Sequence, residues 1–131
     1  MRGLDTNVLV RYLTQDDPGQ SRRANALVES AVARREKLYL DGIVLCELVW
    51  VLRGACGFEK ASVVGALEGI LAAGQFSVAD RDLVRRALAA YRDGRGDFAD
   101  YLLGAKNASA GCTTTVTFDS ALKRSDLFQV I

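Results

Sequence analysis

Short apolar segments alternate along this chain with longer stretches that have the period of an α-helix. The short segments predict β-strands, whereas the longer ones place apolar side chains at i, i+3, i+4 and i+7. The clearest helix carries Ala24, Leu27, Val28, Ala31 and Val32 on one face. Strands that alternate with helices favour an α/β fold in which a mainly parallel sheet is covered by helices.

The elements predicted along the chain differ in how well the sequence defines them. Strands are predicted at 2–5, 38–40, 75–79, 112–118 and 128–131, of which the strand at 112–118 is expected to be buried. Helices are predicted from Pro18, at 43–53, at 59–73, from an Asp80 cap to Gly94, and from Asp97, with one helical turn at 120–124. The segment from Val8 to Leu13 is compatible with a longer strand or with a strand and a helical turn.

The stretch from Asp97 to Ser109 reads as a helix with two carboxylates at its start. Asp97 fits an N-cap, because its side chain can accept the unpaired amide hydrogens of the first turn. Asp100 then falls at the third helical position. Taken alone, the two acids predict only a stabilised helix start, since the helix dipole favours negative charge there.

The composition excludes several kinds of catalytic site. The chain has 131 residues and no histidine, so Ser-His-Asp and Cys-His triads and histidine-bearing zinc sites are ruled out. The three cysteines have no CxxC spacing and predict buried thiols in a reducing cytosol. With 17 Lys+Arg against 16 Asp+Glu, the net charge is +1. A polyanionic partner must therefore be held by local basic patches.

Length and hydropathy predict one domain, residues 1–131, located in the cytoplasm. Asp5 interrupts the segment in which a signal peptide would need its apolar centre. The longest apolar run, from Ile43 to Leu52, is broken by Glu47 and is too short to span a membrane. We find no internal repeat and no linker between domains.

Several carboxylates are predicted at one edge of the sheet. Asp5 and Asp119 each end a strand, and the helix of Asp97 and Asp100 should begin on the same side. Glu47 interrupts an otherwise apolar helix and either joins these acids or reaches water at the helix edge. Carboxylates gathered in this way would repel one another unless hard divalent cations such as Mg²⁺ or Mn²⁺ bind them.

Four segments resemble the PIN-domain ribonucleases, and most of all the VapC-type toxins of bacterial toxin-antitoxin pairs. They are Leu4-Asp5-Thr6-Asn7-Val8-Leu9-Val10, Glu47 in Cys-Glu-Leu-Val-Trp-Val-Leu, Asp97-Phe-Ala-Asp100-Tyr-Leu-Leu, and Thr115-Val-Thr117-Phe-Asp119. The likeness runs from residue 3 to about 124. It implies a PIN-like three-layer α/β/α sandwich with a mainly parallel central sheet.

The resemblance also implies a function, a divalent-metal-dependent endoribonuclease that hydrolyses RNA with metal-activated water. The matching acids are Asp5, Glu47, Asp100 and Asp119, with Asp5 and Asp100 as the main metal ligands. Glu47 would bind metal or position water, and Asp119 would serve a second or outer site. Thr6, Asn7 and Thr117 would orient carboxylates, and Asp97 would be a cap or auxiliary acid. Gly104 departs from the family pattern and is expected to weaken its helix.

The partners implied are RNA, a VapB-like antitoxin and a second copy of the chain, with residues 43–73 as the dimer and antitoxin surface. Two other functions stay open. A haloacid-dehalogenase-like phosphohydrolase also places Asp at the end of its first strand, but it needs a second acid at the position of Asn7. A PIN module without catalysis would bind RNA or a partner and not cleave.

Overall fold

The strands and helices of the computed structural model, which describes residues 1–131, belong to two units, Met1–Ala79 and Asp80–Ile131. The first unit contains β1 (Arg2–Gly3), α1 (Thr6–Thr14), α2 (Pro18–Ala33), β2 (Leu38–Leu40), α3 (Gly42–Arg53), α4 (Lys60–Ala72) and β3 (Phe76–Val78). The second contains α5 (Arg81–Asp93), α6 (Phe98–Ser109), β4 (Thr115–Thr117), a 3-10 helix (Ser120–Leu122) and β5 (Phe128–Val130).

A parallel three-stranded sheet forms the centre of the first unit, in the order β1-β2-β3. Leu38 and Leu40 on the middle strand are fully buried. Helices α1 and α2 connect β1 to β2, and α3 and α4 connect β2 to β3, since parallel strands need long crossover connections. In the second unit β4 and β5 also pair in parallel. The α/β class with parallel strands is therefore confirmed.

The segment after Asp5 differs from both interpretations of the sequence, since it forms the nine-residue helix α1. The Asp5 side chain accepts a hydrogen bond from the Thr6 amide at 2.8 Å, which starts the helix. Leu9 and Val10 are then buried on one face. Valine-rich sequence favours a strand, but the cap and the buried face together outweigh that preference.

Most of the other predicted elements are found within a residue or two of their expected ends. Pro18 occupies the first position of α2, and Asp17 caps it by accepting a hydrogen bond from the Gln20 amide at 3.0 Å. Gly94 ends α5, as expected. None of the six α-helices combines the length and the apolar character that a membrane span requires.

Asp80 stands at the start of α5 but does not cap it through its side chain, so that prediction was wrong. The residue has a left-handed backbone, with φ of 50°, whereas a capping residue is normally extended. Its carboxylate instead faces Lys106 of α6, with Oδ2 3.6 Å from Nζ. The edge-to-face contact of Tyr91 with Phe98, at 6.1 Å between ring centroids, also joins the two helices.

The strand predicted over 112–118 is shorter and less buried than expected. β4 spans only Thr115–Thr117, because its partner β5 is itself three residues long. The side chains of Val116 and Phe118 are 57% and 83% exposed. No disulfide joins the three cysteines, but the prediction that they are buried was wrong, since Cys46 and Cys56 are half-buried and Cys112 is exposed.

The sequence predicted only that Gly104 weakens its helix, but in the structure this glycine lets two segments pack closely. A Cβ atom at this position would lie 2.9 Å from Cε2 of Phe128 and 3.2 Å from Cβ of Leu127. Both distances are shorter than ordinary van der Waals contacts. The glycine therefore allows the chain entering β5 to pack directly on α6.

Candidate functional site

Asp5 and Glu47 are connected through Thr6 in the first unit. Pairing of β1 with β2 extends to the Leu4 amide, which donates to the Tyr39 carbonyl at 3.0 Å, so Asp5 follows directly at the carboxyl end of the strand. Thr6 is buried, and its Oγ1 donates to Glu47 Oε1 at 3.3 Å. This hydrogen bond ties the start of α1 to the middle of α3.

Glu47 reaches solvent although its helix is apolar. Five residues of α3 are buried, namely Val44, Leu45, Leu48, Val49 and Leu52. Glu47 lies on another face of the helix and is exposed. The Glu47 side chain therefore reaches water, and this exposure leaves its carboxylate open to a metal ion or to the other acids as well.

Asn7 is placed differently from Thr6. It is exposed, and its side-chain amide makes no hydrogen bond to Asp5 or Glu47. With Val8 and Arg11 it lines a groove of about 330 Å³ between α1 and α2. The geometry thus gives Thr6, and not Asn7, a direct hydrogen bond to one of the acids.

Asp97 and Asp100 form a reciprocal capping box at the start of α6. Asp97 Oδ1 accepts from the Phe98 amide at 2.8 Å, and the Asp97 amide donates to Asp100 Oδ2 at 3.0 Å. The arrangement satisfies amides that the first turn of a helix leaves unpaired. Both acids consequently have a structural function, which fixes the Asp100 carboxylate relative to the helix axis.

The loop before this helix is held by Tyr101. Its hydroxyl oxygen accepts a hydrogen bond from the buried Gly96 amide at 3.0 Å. A Cβ atom at Gly94 would lie 2.0 Å from the same oxygen, and one at Gly96 would lie 2.4 Å from Cδ2 of Leu122. Only glycine fits at these two positions, so the chain leading to Asp97 is tightly packed.

Thr117 and Asp119 lie at the end of β4. The Asp119 amide donates to Thr117 Oγ1 at 3.1 Å, and Asp119 Oδ1 accepts from the Ala121 amide at 2.9 Å. Asp119 thereby caps the 3-10 helix. Its position after a parallel strand repeats the arrangement of Asp5 after β1.

The four predicted metal-binding acids share one hydrogen-bonding pattern. Each uses a single carboxylate oxygen as an acceptor, Oδ1 of Asp5, Oε1 of Glu47, Oδ2 of Asp100 and Oδ1 of Asp119. The second oxygen of each accepts no hydrogen bond from the protein, and no lysine or arginine pairs with any of the four. Such oxygens are hard ligands that Mg²⁺ or Mn²⁺ could use. Within neither unit do three or more Cys, Asp or Glu side chains form a metal-binding group.

Asp41, which is not among the predicted site residues, repeats the placement of Asp5. It follows β2 as Asp5 follows β1, and the register pairs Gly3 with Tyr39 on the two neighbouring strands. Asp41 Oδ2 caps α3 by accepting from the Ile43 amide at 2.8 Å. The pattern of an aspartate after a short apolar strand could have indicated this second acid at the sheet edge.

Comparison with known proteins supports the resemblance noted in the sequence. The family model described as PIN domain matches residues 4–126. The chain belongs to the PIN domain family. Over 124 residues this PIN protein is 27% identical to a VapC ribonuclease of Aquifex aeolicus (strain VF5), with 95% of this chain and 91% of that protein covered. The family match also confirms the predicted PIN-like α/β/α fold class.

Proposed function

We propose that this PIN protein is a divalent-metal-dependent endoribonuclease and the toxin of a toxin-antitoxin pair. The observation that carries the proposal is the state of the four acids. Each is held through one oxygen, leaves the other oxygen without a protein partner, and has no cationic side chain to neutralise it. The similarity to a VapC ribonuclease supports the choice of RNA as substrate.

The residues would divide the work in the following way. Asp5 and Asp100 would hold a Mg²⁺ or Mn²⁺ ion, which when bound activates water and offsets charge on the phosphate. Glu47 would bind the same ion or orient the attacking water, with Thr6 fixing one of its oxygens. Asp119 would serve a second or outer position, where Thr117 orients the backbone of the turn. Asp97 would remain the cap of α6.

Replacement of the two main ligands tests the proposal. We expect Asp5→Asn and Asp100→Asn to lower RNA cleavage by at least about 100-fold, since loss of a group that merely supports a metal ligand already costs 10- to 100-fold. Both variants keep an oxygen that can accept the capping hydrogen bond. The metal-free fold should therefore be about as stable as the wild type, because relief of carboxylate repulsion opposes the weaker interaction with the helix dipole.

Two acids elsewhere in the chain provide matched controls. Asp82 stands in the first turn of α5 as Asp100 stands in that of α6, and Glu29 is an exposed acid on α2. Asp82→Asn and Glu29→Gln should cleave RNA like the wild type. Full activity of Asp5→Asn or Asp100→Asn with purified protein would overturn the proposal.

Metal binding can be followed without an activity assay. A ligand that binds only the folded protein stabilises it by about 2.7 kcal/mol at a concentration of 100 times its Kd. Mn²⁺ should therefore raise the melting temperature of the wild type, and this increase should be lost in Asp5→Asn. Metal-dependent stabilisation without cleavage of any RNA would instead favour a PIN module that binds without catalysis.

The proposed assembly includes a second copy of the chain and a VapB-like antitoxin. The side chains of Ile43 and Trp50, two turns apart on α3, are 70% and 53% exposed. Exposed apolar side chains on one helix face are typical of a protein interface. Light scattering at micromolar concentration should show a dimer, and Ile43→Glu should weaken it. A strictly monomeric wild type would contradict this part of the proposal. An RNA substrate would place the activity in the cytoplasm.

A further inference from the structure

A cavity of about 630 Å³ lies within the second unit, and none of the predicted site residues lines it. Its walls come from the end of α5, the loop that follows it, Tyr101 of α6, and the chain from the 3-10 helix to Leu127. Pockets of about 300 to 1,000 Å³ are the usual size for small ligands and cofactors. The volume therefore suits one nucleotide and is larger than a single ion needs.

Three cationic side chains line this cavity, those of Arg95, Lys123 and Arg124. All three residues are exposed, and none forms a hydrogen bond or an ion pair through its side chain. Asp93 and Asp126 also line the cavity but do not pair with them. Unpaired cations around a concave surface attract anions, because the surrounding protein concentrates their field.

The position of the cavity in the chain relates it to the candidate acids of the same unit. Arg95 lies two residues before Asp97, and Tyr101 directly follows Asp100. Ser120, which also lines the cavity, directly follows Asp119. If these acids hold the metal ion that acts on the scissile phosphate, the neighbouring nucleotides of the RNA strand would lie close to the cavity.

We propose that the cavity binds a nucleotide of the RNA substrate next to the cleaved bond, with its phosphate held by Arg95, Lys123 and Arg124. This inference rests on the proposed ribonuclease function and adds to it a site that positions the strand. The three cations contact the backbone phosphate, so they contribute affinity and register without reading the base. They take no part in the bond-breaking step.

RNA binding as a function of salt concentration tests this site. Single-stranded RNA with a fluorescent label is titrated with protein carrying Asp100→Asn, so that binding is measured without cleavage. For single strands each lost phosphate contact lowers the slope of log K against log salt by about 0.7, equivalent to about 5-fold in affinity at 0.1 M salt. Because the three cations hold one phosphate, we expect the triple variant Arg95→Gln, Lys123→Gln and Arg124→Gln to lose about 5-fold in affinity, and each single variant to lose less.

Arg22 supplies the matched control, because it is exposed on α2 and does not line this cavity. Arg22→Gln removes the same charge and should leave the slope and the affinity nearly unchanged. In the otherwise wild-type enzyme, the cavity variants should raise KM for RNA and leave kcat unchanged, which a general loss of folding would not do. Circular dichroism should show that the exposed substitutions leave the fold intact.

The possible failures can be distinguished. If the wild type cleaves RNA but the cavity variants bind like Arg22→Gln, the cavity proposal is overturned and the ribonuclease function stands. If the wild type neither binds nor cleaves RNA, both are overturned. A reduced slope of log K against log salt that is found only in variants of Arg95, Lys123 and Arg124 supports the cavity as the binding site.

Discussion

Replacement of Tyr101 by phenylalanine removes a single hydroxyl group that holds the loop in front of Asp97. This hydroxyl oxygen accepts a hydrogen bond from the Gly96 amide at 3.0 Å, and the tyrosine is only 3% exposed. Gly96 is buried as well. The substitution therefore leaves a buried N–H group without its acceptor, while the aromatic ring and its packing remain.

The expected loss follows from the cost of an unsatisfied buried group. Removing one partner of a buried hydrogen bond costs about 1 to 3 kcal/mol, because the remaining group has lost its water and has gained no partner. For a protein of this size the melting temperature should fall by roughly 4 °C for each kcal/mol. Urea denaturation should show a lower midpoint with an unchanged m value, which indicates a change in stability alone.

Tyr39→Phe is the control for this measurement. Tyr39 is half-buried on β2, and its hydroxyl group makes no hydrogen bond. Its loss should change the free energy of unfolding by less than about 0.5 kcal/mol. Equal stabilities of the two phenylalanine variants would refute the assignment of the Tyr101 hydroxyl as the acceptor that holds the loop.

Three further predictions test other contacts. Gly94→Ala would place a Cβ atom 2.0 Å from the Tyr101 hydroxyl oxygen and should lower the free energy of unfolding by about 1 to 3 kcal/mol, measured by thermal unfolding. Gly65→Ala, with no neighbour within 4 Å, should raise it by about 0.5 to 1 kcal/mol. An unchanged stability of Gly94→Ala would contradict the close packing. Asp97→Ala should lose about 0.5 to 2 kcal/mol of stability. Asp97→Asn keeps the capping oxygen and should retain both stability and RNA cleavage. If Asp97→Asn loses cleavage at unchanged stability, the carboxylate takes part in the reaction. The hydrogen bond from Arg2 holds the pKa of Glu36 below its ordinary value of 4.5, so the folded state binds fewer protons. The stabilisation is therefore present above pH 4.5 and is lost as the pH falls through the lowered pKa. Denaturation at several pH values should show that Glu36→Gln lacks this stabilisation. A difference in stability between the two proteins that survives full protonation of Glu36 would count against the assignment.

The features that depend on a few neighbouring residues could be predicted from the sequence. The Asp97 cap with Asp100 at the third helical position is an example, since each capping hydrogen bond spans at most three residues. The start of α2 at Pro18 is another. Local rules failed where two preferences competed, as at Val8 to Leu13, where β-branched residues form a helix because Asp5 caps it and its apolar face is buried. Asp80 failed because its left-handed backbone turns the side chain away from the amides it was expected to cap.

By itself, the sequence determined the chemistry that this PIN protein can use. The absence of histidine left carboxylates as the candidate ligands, and the resemblance to PIN-domain ribonucleases indicated Asp5, Glu47, Asp100 and Asp119 as the set to test. Only the tertiary structure decided which partners hold these groups. Thr6 and Glu47 are 41 residues apart, and the cavity joins residues from Ala90 to Leu127. Such contacts depend on how distant elements pack, whereas a cap or a turn depends on the residues beside it.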